Sequence, residues 1–434
     1  MGSGARYRLE VATLCVAAAV AGLAVTVPID FPWAARGSVV ELQMLIFNVP
    51  RATATAALAA VVVAVLCAAA TMRMVWLTAV GFGALLSLSH VVARGLTHEL
   101  ATFGYVDAIV GGALLGALTA LAGRRSLARA GLLLGALSGI IIGNRVTPSA
   151  DREHLHPLVR WALVDPPSLV LLVIALGLLG WGLWRHRYDS AVPVEEIPLR
   201  PVAAVLVLVS ASLIRTEVLA EQDNWFFRVI AGSVLVVLAT LLAALLLPAR
   251  DGVLVAMAVT FAVAGGVVGT GPSPGWAAPV LVVAVAVGLA AGARYPRPVL
   301  AVPATVSLAV FEAVLNNTVR AESLTVAGAA VTAAIGGYCF GTIVPRELST
   351  SALALMTLVA PSVVAVITSR RFGHVGEAKV WFHGPPADPW VPGWTTVVVA
   401  IGCGAVALAV WRLRSATSEP ELPARADSRP IPTH

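Results

Sequence analysis

Apolar residues in this chain come in unbroken runs rather than in alternation. Stretches of about twenty residues rich in Ala, Val and Leu follow one another from Leu9 to Arg412, separated by short polar turns. No period of two is sustained, which argues against a β-barrel. In hydrocarbon every backbone N–H and C=O needs an internal partner, so continuous apolar runs of this length read as spanning helices. The pattern predicts an all-α, polytopic membrane protein with about fourteen spans: 9–28, 52–71, 74–94, 104–122, 130–147, 167–185, 201–219, 229–248, 252–271, 277–293, 298–316, 324–344, 350–368 and 394–412. Each is close to the ~20 residues that cross a ~30 Å apolar layer. The connections at 72–74 and 249–251 are very tight.

Composition supports this class. Only 12% of the 434 residues are charged, about half of what a soluble domain carries. The net charge of +6 would suggest a nucleic-acid partner in a soluble protein. Here the cations sit mainly in interhelical turns, where they set orientation. One set of turns holds Arg6, Arg8, Arg73, Arg124, Arg125, Arg129, Arg185, Arg187, Arg200, Arg250, Arg294, Arg297, Arg346, Arg412 and Arg414. The other holds most of the acids, among them Asp30, Glu41, Glu99, Asp151, Glu217 and Glu322. The first set is expected on the cytoplasmic side of a bacterial plasma membrane, with both termini there. Lys379 is the single lysine, which with abundant Ala, Val and Gly points to a GC-rich genome. The four cysteines, Cys15, Cys67, Cys339 and Cys403, form no C-x-x-C pair and read as small apolar fillers. No cleavable signal peptide is expected. Residues 415–434, rich in Pro, Ser, Glu and Arg, read as a disordered cytoplasmic tail.

A weak internal repeat divides the chain. A shift of 177 positions lays Arg51 on Arg228 and Arg73 on Arg250, with apolar residues between. A slightly smaller shift lays Arg129 on Arg297. The expected plan is a six-span bundle at 1–187, a polar linker at 188–200, a second six-span bundle at 201–346 and two additional spans at 347–414. In helix count, topology and half-length this resembles the major facilitator superfamily. That family favours a Gly-x-x-x-Asp-Arg-x-Gly-Arg-Arg turn after its second helix. The nearest match here runs from Gly116 to Arg125 and ends Gly123-Arg124-Arg125. It has Ala120 and Leu121 in place of the Asp and first Arg, and it follows the fourth span. The resemblance implies alternating access by two rocking bundles around a midplane site.

Ionisable residues inside a span are costly and are functional candidates for that reason. Glu312, in Phe311-Glu312-Ala313, lies about one turn from the end of span eleven; it is placed to exchange a proton or meet a cation, or else to snorkel outward. Asp107 opens span four, where an acid also complements the helix dipole. His90, near the end of span three, is a proton-relay candidate or a hydrogen-bonded structural histidine. Arg51 and Arg228 stand at matching places in the repeat, and Arg145 and Arg215 have similar standing. Such arginines either hold a carboxylate or phosphate or anchor at headgroup level. Asp151, His154 and His156 share a polar loop without a metal-site spacing. The loops 147–167 and 370–390 read as paired amphipathic caps. Gly111, Gly112 and Gly116, and Gly336, Gly337 and Gly341, permit close helix approach. Pro303 and Pro361 fall within spans and are expected to kink them.

No phosphate-binding loop, nucleotide fingerprint or G-x-S-x-G elbow occurs. Neither a cofactor, a resident metal nor an enzymatic activity is therefore expected. The leading expectation is a secondary transporter or exporter of a small hydrophobic or amphipathic substrate, driven by protons, another ion gradient or a partner. The lipid bilayer and that substrate are its expected partners. The alternatives are an integral membrane enzyme acting on a lipid-linked substrate through Asp30 or the 151–156 cluster, and a non-catalytic subunit of an envelope complex.

Overall fold

The computed structural model describes residues 3–26, 49–96, 101–123, 125–145, 167–188, 198–220, 225–248, 250–268, 274–315, 322–345, 347–359, 371–375, 380–384 and 390–416. Among these lie fourteen helices. They are α1 (Ser3–Thr26), α2 (Val49–Ala68), α3 (Met72–Leu96), α4 (Ala101–Ala122), α5 (Ser126–Arg145), α6 (Leu169–Arg185) and α7 (Arg200–Ala220). Then follow α8 (Trp225–Leu246), α9 (Asp251–Val268), α10 (Ala278–Arg294), α11 (Pro298–Leu315), α12 (Glu322–Thr342), α13 (Leu348–Met356) and α14 (Trp390–Ala416). Every predicted span overlaps one of them. Nine helices are long and apolar enough to cross a membrane among the described residues. Three more apolar helices, Leu169–Arg185, Asp251–Gly265 and Pro298–Phe311, are shorter. The chain is thus built as a multi-pass membrane protein in contact with the lipid bilayer.

The outward faces match this. On α8, Phe227, Val234, Leu238, Leu242 and Leu245 are all exposed at helical spacing. A water-soluble helix would turn such a stripe inward. In lipid there is no hydrophobic drive to bury it, so helices associate through close van der Waals packing. Small residues supply that closeness. In α5, Gly131, Gly135, Gly139 and Gly143 recur every fourth residue and face Val11, Cys15, Ala19 and Thr26 of α1. A Cβ on Gly135 would land on the Cys15 carbonyl, and one on Gly139 on the Ala19 carbonyl. The order of these contacts shows that α1 and α5 run parallel. The same parallel contact joins α2 to α4, where Gly112 and Gly116 lie against Ala56 and Ala60, and α10 to α12 through Gly288, Gly292, Gly337 and Gly341.

Helices α1 to α6 pack together as a first group, and α7 to α12 with α14 as a second. At the arginine-rich end of the first group, Glu10 of α1 lies 3.3 Å from each of Arg125, Arg185 and His186. The His186 ring stacks on Trp76 of α3 with centroids 5.5 Å apart. One carboxylate therefore joins α1, α6 and the start of α5.

The last two helices are not peripheral. α14 packs against α8, α9 and α11, and α13 lies between the groups against α2, α4, α7 and α9. The span predicted at 350–368 is matched by a helix of only nine residues, roughly 13 Å long, which closes in turn-like bonds at 357–359. Residues 360–368 lie outside the described ones, as does Pro361. All residues from Ser349 to Met356 are buried. The loop expected as an amphipathic cap contains an antiparallel hairpin, β1 (Arg371–Val375) paired with β2 (Val380–Gly384). Val380-Trp381-Phe382 are residue types that favour a pleated surface. The cap expected at 147–166, with Asp151, His154 and His156, lies outside the described residues, as do Asp30 and the tail beyond Ala416.

Candidate functional site

Hydroxyls inside the helices rarely act across helices. Thr13, Thr119, Thr240, Thr260 and Thr332 each donate to a carbonyl three or four residues back, which satisfies them locally. Polar groups that depart from this pattern stand out at three places.

The first is a cleft between the two helix groups with an empty volume of about 760 Å³. Its wall combines Thr53 and Ala57 of α2, Val205 to Arg215 along α7, Val236 and Ala239 of α8, Val259 and Val263 of α9, and the last turn of α13 with Thr357. Arg215 is its one charged lining residue. The Arg215 stem passes over Gly232 of α8, where an added Cβ would meet Arg215 Cγ at 3.3 Å. Glycine at 232 thus makes room for the arginine. Among the described residues the guanidinium has no ion pair or hydrogen bond, and the Cys403 thiol of α14 is the ionisable group close enough to act on it. Cys403 itself points its sulfur at the Thr240 hydroxyl, 3.6 Å away.

The second place joins the end of α3 to the start of α4. The Ser89 hydroxyl donates to Asp107 Oδ1. His90 Nδ1 lies 3.6 Å from Asp107 Oδ2, with both side chains 5% exposed. His90 Nε2 is buried with no hydrogen-bond partner among the described residues. Two residues read separately from the sequence thus form one buried unit.

The third place is at the arginine-rich end of α13. Asp251 opens α9 and is wholly buried. Its Oδ2 accepts from the Glu347 backbone N–H at 2.9 Å and from the Thr350 hydroxyl at 3.0 Å. It therefore caps the N-terminus of α13, where unsatisfied N–H groups and the helix dipole favour an anion. Arg129 of α5 and Arg414 of α14 act on it electrostatically. Arg129 donates to the Gly123 carbonyl, and Arg414 to the Ala244 and Leu247 carbonyls at the end of α8. Burial pushes the Glu347 carboxyl above the ordinary carboxylate range; Asp251 adds to this and Arg200 opposes it.

The remaining candidates stay apart. Arg51, at the start of α2, is exposed, and Arg228 is partly buried near the start of α8; neither lines the cleft. Glu312 falls in α11 and Arg145 ends α5, and both side chains lie outside the described residues. No group of three metal-ligating side chains occurs among the described residues. No family model matches the sequence, and no curated protein matches it significantly.

The sequence reading passed over Asp251 and Glu347. Asp251 follows Arg250 in a tight turn and resembles ordinary loop polarity. Its partners stand almost a hundred residues downstream, so no local signal marks it. The α5 glycine stripe was visible as a four-residue repeat and could have predicted the α1–α5 contact.

Proposed function

We propose that this protein is a secondary transporter that carries a small apolar or amphipathic molecule across the bacterial plasma membrane, with its arginine-rich end and both termini cytoplasmic. The observation that supports this is the cleft at the boundary of two helix groups, with a single cation on an otherwise mostly apolar wall. Short helices that end at a substrate cleft are a recurrent element of transporters, and the last turn of α13 lines this one. Rocking of the two groups against each other at the α2–α7 contact, at α13 and at the contacts of α5 with α10 and α12 would expose the cleft to either side, the alternating-access scheme that the major facilitator resemblance implies. The buried contact of Ser89, Asp107 and His90 supports proton coupling, because ionisable residues within spans commonly mark proton pathways.

A test independent of substrate identity uses Ser212→Cys with the four native cysteines replaced. An impermeant maleimide is applied to right-side-out and to inverted vesicles. Labelling from both faces is the expected outcome. Labelling from one face alone would overturn alternating access. Once a substrate is found, Asp107→Asn should abolish the dependence of uptake on a pH gradient while leaving exchange at equal pH intact.

A further inference from the structure

The cleft also carries information about its occupant. We infer that it binds an anionic amphiphile: one carboxylate or phosphate head held by Arg215, with an apolar tail lying along α7 toward α13. This deepens the reading above and rests on the cleft being the substrate site.

The argument starts from the guanidinium. Arg215 has no ion pair or hydrogen bond among the described residues, although it lies on a mostly apolar cleft wall. A cation in such surroundings is expensive unless paired. The neighbouring Cys403 thiol, satisfied by Thr240, offers no full negative charge. An incoming anion would supply it, and a planar guanidinium presents paired donors that suit carboxylate and phosphate oxygens alike. Ser212, one turn before Arg215 on the same cleft wall, has a hydroxyl with no recorded partner among the described residues and adds a donor beside the head. The rest of the wall selects the tail. From Arg215 the lining descends α7 through Ala211, Leu208 and Val205, ten residues and roughly 15 Å of helix. Leu353 and Met356 of α13 face the same space. A sugar would leave most of its hydroxyls unsatisfied on such a wall. An organic cation would be repelled by the one charge present. A neutral hydrocarbon would leave the guanidinium unpaired.

The test is equilibrium binding to the purified full-length protein in lipid nanodiscs. Three probes are compared: the fluorescent fatty acid cis-parinaric acid, its methyl ester, and a fluorescently tagged phosphatidic acid. The inference expects saturable binding of the carboxylate, the phosphate, or both, and at least a tenfold preference over the ester. Which acid binds identifies the source of the head group. Arg215→Gln should weaken the acid roughly tenfold or more, Arg215→Lys should retain part of the affinity, and neither should alter the ester. Ala211→Leu, which fills the tail channel and leaves the charge in place, should weaken acid binding as well. Should Arg215→Gln fail to fold, the acid-to-ester ratio in the unsubstituted protein and the Ala211→Leu result decide alone. Equal binding of ester and acid, binding of neither acid, or an unchanged affinity in folded Arg215→Gln would each overturn the inference. Binding with one-sided labelling of Ser212→Cys would leave it standing and remove the transporter.

Discussion

The two ends of α13 face opposite electrostatic solutions to one problem. At its N-terminus, buried Asp251 accepts two hydrogen bonds and feels Arg129 and Arg414. Beside its C-terminus, Arg215 borders the cleft with neither a hydrogen bond nor an ion pair among the described residues. Both charges lie among mostly apolar neighbours. A charge that is fully partnered within the protein is a fastening, because removing it strands its partners. A charge left without a partner weakens the fold and persists where something else uses it. The contrast separates architecture from candidate function more sharply than residue type does, since both groups are ionisable residues in apolar surroundings.

The largest effect should come from attacking the fastened end. Asp251→Ala leaves Arg129 and Arg414 without their shared anion and exposes the first N–H groups of α13 to an apolar interior. A loss of about 3–5 kcal/mol is expected, seen as a collapse of the melting temperature in detergent and of membrane yield. Next comes the reverse outcome at the open end. Arg215→Gln removes a charge with no partner among the described residues and should leave the thermal midpoint unchanged or higher. A drop as large as that of Asp251→Ala would erase the contrast. A finer probe is Thr350→Val, which deletes one of the two bonds to Asp251 and should cost about 1 kcal/mol, measured by the same melts. The smallest effect concerns pH. Because burial raises the Glu347 carboxyl, the folded state holds this proton more tightly than the unfolded chain. Its contribution favours folding at low pH and is lost as pH rises from the ordinary glutamate range through the raised value. Glu347→Gln should flatten that part of the stability profile, most visibly in the mildly acid range.

The helices were legible because the period and length of apolar runs are local properties. Each of the fourteen predicted spans meets a helix, and α7, α10 and α11 agree within a residue or two. The end of α13 at Met356 was not legible, since nothing in the composition of Ser349 to Met356 announces it. Asp107 and His90 were each marked as costly, yet their contact depends on α3 and α4 meeting at matched depth. Arg215 was one of four arginines of equal rank. What sets it apart is tertiary: Gly232 beneath its stem, the cleft in front of it and no counter-ion among the described residues. The β1–β2 hairpin went unread because Phe372, Val375 and Val380 to Phe382 were weighed as part of one polar loop.

The parallel pairing of α1 with α5 bears on how the chain is made. Roughly a hundred residues separate the end of one helix from the start of the other, several seconds of synthesis. During that delay the leading segment sits in the insertion machinery or in lipid with its tightest neighbour still untranslated. Cys15 and Ala19, which meet the glycines of α5, must wait bare until the fifth segment leaves the ribosome, so the nascent chain is more exposed to proteases and membrane quality control before that moment.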